Sequence, residues 1–327
     1  MKKGGIFNIS VLLLCAMIWG FAFSAQSIGA EYVGPWTFLA ARAWIGVATL
    51  LVFIGIRKLI VVRTDEGRLA YEDAHSAPGA AGGGRYDDLR PVIIAGAAAG
   101  VLLCLASVLQ QAGIAYTTVA KSSFITAMYV VIVPLISMLS GNKPGGKIWA
   151  AVGLSVAGLY LLSFAGGPES VNTGDLMTLG CAFLFSLQII CINHFVNRLD
   201  GLLLSCSEFF FEALVATAGM LLFEKPSICA LLPAMTAVLY AGVMSNGVAY
   251  TLQIIGQRDF DPTVASLCMC MESVFGVLGG FILLGQTLSA REIAGCALMF
   301  FSILTAELPV KKRKNHCPKT DGYRINS

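Results

Sequence analysis

Ten stretches of mostly apolar residues follow one another along this chain, and each is close to the length that crosses a bilayer. A spanning helix needs about 20 such residues, because every backbone polar group in hydrocarbon must be satisfied within the segment. Hydrophobic residues make up 57% of the chain and charged residues only 13%, about half the charged share of a soluble domain. The sequence therefore predicts an all-α integral membrane protein with ten transmembrane helices. The predicted spans are 8–30, 35–56, 91–113, 116–139, 147–165, 174–195, 203–223, 230–255, 263–285 and 290–308.

The positions of the basic residues orient this predicted bundle. With both termini in the cytoplasm, the inner side collects the terminal lysines, the loop 57–90 and the basic tail. Of the 22 Lys and Arg residues, only Lys225 and Arg291 fall on the outer side, while Arg42 and Lys121 fall within predicted spans. Since cytoplasmic loops carry the excess of Lys and Arg, we expect a multi-pass protein of the cell membrane with cytoplasmic N- and C-termini.

One pattern of polar and small residues occurs twice, about half the chain apart. Leu109-Gln110-x-x-Gly113 is followed by Thr118-Val119-Ala120, and Leu252-Gln253-x-x-Gly256 is followed by Thr263-Val264-Ala265. A duplicated hydrophobic module is typical of transporters whose substrate binds between the halves. Five predicted spans lie in each half, and an odd number of crossings makes the second copy start on the opposite face. The sequence therefore predicts two inverted five-helix repeats.

The duplication also predicts the domain organisation. The first repeat covers 1–165 and includes the loop 57–90, whose mixed charge and Gly-rich run predict a flexible cytoplasmic linker. The second repeat covers 174–308, after an acidic, Gly-rich outer linker at 166–173. Residues 309–327 form a basic cytoplasmic tail.

Several short motifs occur in order along the spans. They are Trp19-Gly20, Arg42, Ser123-Phe124-Ile125-Thr126 through Tyr129 to Pro134, Gly174-Asp175, Ala249-Tyr250-Thr251-Leu252-Gln253, and Glu272 followed by Leu284-Gly285. Together they resemble the EamA-type members of the drug/metabolite transporter superfamily over nearly all of 8–308. The resemblance implies a ten-helix inverted-repeat carrier of small metabolites, often an exporter, in a bacterial inner membrane. This chain has Glu272-Ser273 where the family usually has Glu-Pro, and Gly285-Gln286 where it usually has Gly-Glu.

Ionisable residues inside the predicted spans are candidates for function, because a charge in hydrocarbon costs roughly 2.5–3.5 kcal/mol on insertion scales. Glu208 and Glu212 are four residues apart and share one helix face, and Glu272 lies near the middle of its span. Two cations, Arg42 and Lys121, stand against these three carboxyls, so we expect one carboxyl to carry a proton.

These three glutamates are therefore the predicted proton-coupling residues, with static ion pairs between helices as the alternative. In the repeat alignment, Met128 of the first half corresponds to Glu272 of the second. That mismatch marks the position where we expect the coupling site.

Polar and aromatic residues within the spans form the predicted substrate site. Amide side chains offer donors and an acceptor without a full charge, and an arginine suits a carboxylate-bearing cargo. The alternative is that these groups serve only as packing and polar contacts between helices. The predicted substrate-binding residues are Trp19, Arg42, Gln110, Tyr129, Asn246, Tyr250 and Gln253.

The sequence offers little for catalysis or metal binding. His75 and His316 lie in the loop and the tail, His194 lies at a helix end, and no metalloprotease, nucleophile-elbow or P-loop pattern occurs. Cys268 and Cys270 point to different helix faces, and no second cysteine pair follows at metal-ligand spacing. We therefore expect neither an enzyme nor a cofactor or metal.

These observations predict a secondary active transporter of a small, amino-acid-like metabolite that works by alternating access. Export is the expected direction and protons are the expected coupling ion. The expected partners are this substrate and the lipid bilayer, and nucleic acid is not expected. The alternative is a flippase of the same fold that moves a lipid-linked or amphipathic substrate.

Overall fold

The computed structural model describes residues 3–63, 89–116, 119–139, 141, 144–163, 172–284 and 289–307. Most of the predicted linkers 57–90 and 166–173 and the whole tail 309–327 lie outside these residues, as does Gly285-Gln286. Within the described part, the chain is helical and contains no strand.

The helices of the first half are α1 (Lys3–Ala30), α2 (Pro35–Arg63), α3 (Arg90–Ile114), α4 (Val119–Thr126), α5 (Tyr129–Leu139) and α6 (Gly146–Ser163). Those of the second half are α7 (Thr173–Phe195), α8 (Gly201–Phe223), α9 (Ile228–Leu239), a π-helical segment (Tyr240–Ala249), α10 (Tyr250–Gln257), α11 (Pro262–Met269), α12 (Glu272–Leu284) and α13 (Ala290–Glu307).

The helices group into ten spans, because α4 with α5 forms span 4, α9 through α10 forms span 8, and α11 with α12 forms span 9. In the described part, eight spans are long and apolar enough to cross a membrane, and Gly146–Leu161 and Ile293–Ala306 are shorter apolar helices. Large apolar side chains such as Leu222 are exposed on the outer faces, where lipid would cover them. The predicted all-α membrane fold is confirmed.

Each span of one half has a counterpart in the other half, and the contacts between spans follow the same pattern when the two halves are exchanged. Span 1 packs on spans 8 and 9 of the other half, just as span 6 packs on spans 3 and 4. Spans 2 and 7, 4 and 9, and 5 and 10 pack on their own counterparts across the interface. The two inverted five-helix repeats are therefore interlocked, since the first span of each half completes the other half.

The two glycines of the sequence repeat make equivalent contacts in this arrangement. A Cβ added at Gly113 would lie 2.9 Å from the carbonyl oxygen of Gly174 in span 6. A Cβ added at Gly256 would lie 3.4 Å from the carbonyl oxygen of Asn8 in span 1. Each repeat motif thus marks the place where a backbone of one half approaches the first span of the other.

The π-helical segment is where the second half carries one residue more than the first. Gly100 and Gly242 are equivalent, because Gly100 lies against the carbonyl oxygen of Glu208 and Gly242 against that of Arg42. The stretch from Gly242 to Gly256 in the second half is one residue longer than the stretch from Gly100 to Gly113 in the first half. A π turn accommodates one extra residue without changing the contacts on either side, so the π-helical segment absorbs this insertion.

Spans 2 and 7 lie side by side, and a side chain caps each helix start. At the start of α8, Asp200 Oδ1 accepts the backbone N–H groups of Leu202 and Leu203, at 3.1 and 3.0 Å. Arg57 Nη1, near the end of α2, donates to Asp200 Oδ2 at 2.7 Å. Burial opposes the ionisation of Asp200, but these hydrogen bonds outweigh it, so the pKa of Asp200 lies below its usual value.

The start of α2 is capped from the neighbouring span rather than from its own. Glu224, just beyond the end of α8, accepts the backbone N–H groups of Trp36 and Thr37 at 2.9 and 2.8 Å, and the Thr37 hydroxyl at 2.6 Å. The carboxylate satisfies donors that the first helical turn leaves without partners. Spans 2 and 7 are therefore joined by a carboxylate at both ends.

Deleting Met244 should be tolerated, whereas deleting Val101 should not. The first deletion lets the π-helical segment relax to an α-helix with the spacing of the first half. The second rotates the rest of α3 by about 100° and moves Gly113 off its contact. Both side chains are similarly exposed, at 37% and 40%, which makes them a matched pair. Size-exclusion profiles of detergent-solubilised protein measure the outcome, and equal loss of folded protein in both variants would contradict it.

Asp200→Asn should lower the midpoint of thermal unfolding at pH 7, because α8 loses its ionised cap and Arg57 loses its partner. A carboxylate with a lowered native pKa contributes stability above its unfolded-state pKa and loses that contribution as pH falls through the native pKa. The difference in midpoint from wild type should therefore be constant from about pH 8 to pH 5 and shrink below about pH 4. The exposed carboxylate Glu31 supplies the control, Glu31→Gln. A difference that does not shrink as pH falls below about 4 would refute this account.

Candidate functional site

A cavity lies between the two halves, next to the points where spans 4 and 9 change from one helix to the next. It encloses about 480 Å³ that protein atoms do not fill, including its opening. Aromatic and polar side chains from both halves make up most of its wall. They are Trp19, Phe23, Tyr129, Phe185 and Tyr250, together with Gln26, Arg42, Gln110, Thr126, Gln188, Ser245, Gln253 and Glu272.

Spans 4 and 9 are each interrupted by one tight turn at matching positions. In span 4, the N–H of Met128 bonds to the carbonyl oxygen of Ile125, and in span 9 the N–H of Met271 bonds to that of Cys268. These bonds close 3₁₀-type turns in the middle of otherwise α-helical spans. Tyr129 therefore opens α5, and Glu272 opens α12 in the other half.

The two residues that open these helices contact each other across the interface between the repeats. Tyr129 Oη donates to Glu272 Oε1 at 3.1 Å, and both residues are buried. The matching helix interruptions pair Glu272 with Tyr129, so the alignment of Glu272 with Met128 was wrong by one position. The repeat motifs could not set this register, because the spacing of their glycines and threonines differs between the halves.

Ser273, at the position where the resembled family usually has proline, makes a second bond across this interface. Its Oγ donates to the backbone oxygen of Ser123 at 3.0 Å, and both side chains are buried. A proline has no side-chain donor to make this bond. The departure from the family pattern thus adds a hydrogen bond between spans 4 and 9.

The matched glutamines both line the cavity but have different partners. Gln110 Nε2 donates to Thr126 Oγ1 at 3.3 Å within the first half. Gln253 Nε2 donates to Gln188 Oε1 at 3.3 Å, and Gln188 Nε2 donates to Glu208 Oε1 at 2.8 Å. A chain of buried polar groups therefore runs from span 8 through span 6 to span 7.

Arg42 is placed in the cavity wall and faces a carboxylate behind it. Arg42 Nη2 lies 3.6 Å from Glu212 Oε1, and the two side chains are 4% and 0% exposed. Arg42 and Glu208 occupy equivalent positions of the two repeats, as their contacts with Gly242 and Gly100 show. The cation of one half is thus replaced by a carboxyl in the other, and the cavity is not symmetric in charge.

Two aromatic rings close one side of the cavity. The ring centroids of Trp19 and Tyr250 are 4.7 Å apart, and Phe209 packs on Tyr250 from behind at 5.2 Å. Trp19 Nε1 is buried and has no hydrogen-bond partner among the described residues. An apolar or aromatic part of a ligand would contact these rings, with one indole donor available to it.

The predicted site residues are mostly brought together. Of the predicted substrate-binding residues, Asn246 alone is not part of the cavity wall. It lies in the π-helical segment against Gly46, and neither of its amide atoms has a partner among the described residues. Glu272 lines the cavity, while Glu208 and Glu212 are fully buried behind it.

Sequence reasoning missed two glutamines of the wall, Gln26 and Gln188. Neither is charged, and neither has a glutamine at the repeat-related position, so a search for charge and for repetition passed over them. The sequence offered one signal for Gln188. It follows Phe185 by three residues, and Phe185 of span 6 corresponds to Trp19 of span 1. Within the described residues, no group of three His, Cys, Asp or Glu side chains is arranged to hold a metal ion.

The chain matches a transporter family, and relatives described as uncharacterized transporters, along nearly its whole length. The profile of the EamA-like transporter family matches residues 6–164 and again 172–306. An uncharacterized transporter of Archaeoglobus fulgidus is 25% identical, over 91% of this chain and 85% of its own. The uncharacterized transporter YwfM of Bacillus subtilis is 24% identical, over 95% of this chain and 97% of its own.

The fold also occurs in a solved structure. A crystal structure described only as that of a protein matches with a TM-score of 0.68 at 18% sequence identity. The match covers 94% of this chain and 97% of that chain. At this identity the likeness concerns the fold alone.

The bond between Tyr129 and Glu272 should appear as non-additive stability. Tyr129→Phe removes the donor of this buried bond and Glu272→Leu removes its acceptor, and the double variant loses no further bond between the two residues. We expect a coupling free energy of about 0.5–3 kcal/mol between them. Unfolding by SDS in mixed micelles measures it. Tyr32→Phe, at an exposed tyrosine, is the control, and additive effects of the two substitutions would argue against the bond.

Proposed function

The chain belongs to the EamA-like transporter family, and from this premise we propose that it is a secondary active transporter of a small, amino-acid-like metabolite. The cargo crosses the cell membrane by alternating access. The first repeat within 1–165 and the second within 174–308 move relative to each other around the cavity. The termini face the cytoplasm, as the distribution of Lys and Arg favours.

One observation carries this proposal: a cavity lies between two inverted repeats and is lined by matched residues from both. Gln110 and Gln253 line it from equivalent positions, and so do Trp19 and Phe185. In inverted-repeat transporters, the substrate binds at the interface of the repeats, so that each half can close one side of it. A cavity serving only helix packing would have no need of polar groups at equivalent positions.

The wall offers a contact for each part of an amino-acid-like cargo. Arg42 suits a carboxylate, Glu272 suits an ammonium group, and the rings of Trp19 and Tyr250 suit an apolar side chain. Gln110, Gln253 and Tyr129 supply hydrogen bonds without adding charge.

The proposed coupling ion is the proton. Glu208, Glu212 and Glu272 are buried carboxyls inside the membrane region, where reversible protonation is a common means of coupling. The proposed direction is export, driven by an outward gradient of the cargo. Asn246 lies behind the wall beside span 2, and we assign it a supporting role in the π-helical segment.

Proteoliposomes loaded with a mixture of amino acids and related organic acids test the function. Mass spectrometry of the external solution identifies the compound that leaves faster than from protein-free vesicles. Gln253→Ala should slow its release by about tenfold, the effect of one lost hydrogen bond to the cargo.

The matched control is Gln257→Ala, which alters a fully buried glutamine one turn further along α10 that does not line the cavity. Its release rate should stay within about twofold of wild type. Equal slowing in both variants would contradict the assignment of the cavity.

The same vesicles also test the alternative function and the coupling ion. Release of no loaded compound, with translocation of fluorescent lipid instead, would favour a flippase. Release unaffected by a pH gradient would exclude proton coupling.

A further inference from the structure

The ion pair between Arg42 and Glu212 is loosely made. Its N–O distance of 3.6 Å is too long for a hydrogen bond. Arg42 Nε and both carboxylate oxygens of Glu212 are buried, and none has a hydrogen-bond partner among the described residues. Two opposite charges therefore lie near each other with most of their hydrogen-bonding capacity unused.

The two members of this pair differ in how they can be reached. Arg42 forms part of the cavity wall, whereas Glu212 is 0% exposed and lies behind it. A molecule in the cavity contacts the guanidinium and not the carboxylate. The guanidinium presents a planar fork of donors that matches a carboxylate in two parallel hydrogen bonds. A carboxylate in the cavity would thus bind Arg42 better than Glu212 does in this structure.

We propose that a carboxylate on the cargo takes Arg42 from Glu212, and that Glu212 then takes up a proton. The cargo stays ionised and bonds to Arg42, while a proton from solvent converts the Glu212 carboxylate to a neutral carboxylic acid. This inference rests on the proposed transport function and names its substrate class: compounds that carry a carboxylate.

The groups around Glu212 explain why the proton goes there. Arg42 on α2 is the cation that faces it, while Glu208 on its own helix, Tyr250 on α10 and Cys104 on α3 are the other titratable neighbours. Glu208 already accepts a hydrogen bond from Gln188, but Glu212 accepts none among the described residues. A buried carboxylate deprived of its cation is strongly destabilised. Proton uptake removes that charge.

One cargo carboxylate then crosses together with one proton, and the pair carries no net charge at this site. Since Glu208 holds the position equivalent to Arg42 in the second half, the cavity has one such guanidinium among its described residues. A gradient of cargo directed outward would move cargo and proton outward together.

Calorimetry on the purified full-length protein tests this with three probes that share one ring: phenylacetate, phenylacetamide and phenethylamine. Phenylacetate should bind at least about tenfold more tightly than the other two. Titration in two buffers of different ionisation enthalpy should show uptake of about one proton per phenylacetate bound. Arg42→Gln should abolish phenylacetate binding.

Glu212→Gln should keep phenylacetate binding but remove the proton uptake. The control is Glu31→Gln, at an exposed carboxyl that does not line the cavity, which should keep both. If Glu212→Gln does not fold, the two-buffer titration of the wild type still decides whether a proton is taken up.

The proposal would be overturned if phenylacetate did not bind up to about 10 mM, or if a carboxyl-free probe bound equally or more tightly. It would also be overturned if phenylacetate bound without proton uptake, or if proton uptake persisted in Glu212→Gln. In liposomes, release of a carboxyl-free compound that Arg42→Gln leaves unchanged would overturn this inference while the transport function stands. Phenylacetate binding with proton uptake, but no release of any compound, would instead count against the transport function alone.

Discussion

Close approach of helix backbones at small residues is the constraint on which this structure depends. A Cβ at Gly20 would lie 2.5 Å from Phe275 Cβ and 2.7 Å from the carbonyl oxygen of Glu272, so only glycine lets span 1 contact span 9 there. In a bilayer, moving an apolar side chain from lipid tails to the surface of another helix gains little free energy. Helix association therefore rests on packing and on polar contacts between helices. The glycines therefore hold the first span of each half against the other half, and the cavity is enclosed as a result.

This packing places polar groups where they can neither reach water nor always find a partner. Most buried polar side chains of the described part are bonded within the bundle, as Gln188 is to Glu208 and Tyr129 is to Glu272. The exceptions include Trp19 Nε1 and Arg42 Nε of the cavity wall and both oxygens of Glu212 behind it. An unpaired polar group that cannot reach water is costly, and under the proposed function a ligand or a proton would complete these groups.

The two halves are similar in backbone and different in chemistry at three points. Arg42 is equivalent to Glu208, Tyr129 is equivalent to Glu272, and the π-helical segment of span 8 has an α-helical counterpart in α3. Under the proposed alternating access, equivalent backbones would allow the halves to exchange roles as the cavity opens to either side. The side chains make the cavity unequal, since Arg42 lines it from the first repeat and Glu272 from the second, and a bound cargo would therefore take one orientation.

The sequence by itself determined the membrane class, the helical architecture and the inverted duplication, because bilayer thickness, backbone satisfaction and repetition act on composition and spacing alone. It predicted seven of the fifteen described residues that line the cavity. Only the tertiary structure decided that Glu272 pairs with Tyr129, that Gln188 joins the wall, and that Asn246 and the two glutamates of span 7 lie behind it. Those outcomes depend on where helices break and how they are rotated. A one-residue shift at a π or 3₁₀ turn changes which side chain faces the interior, and no periodic pattern records it.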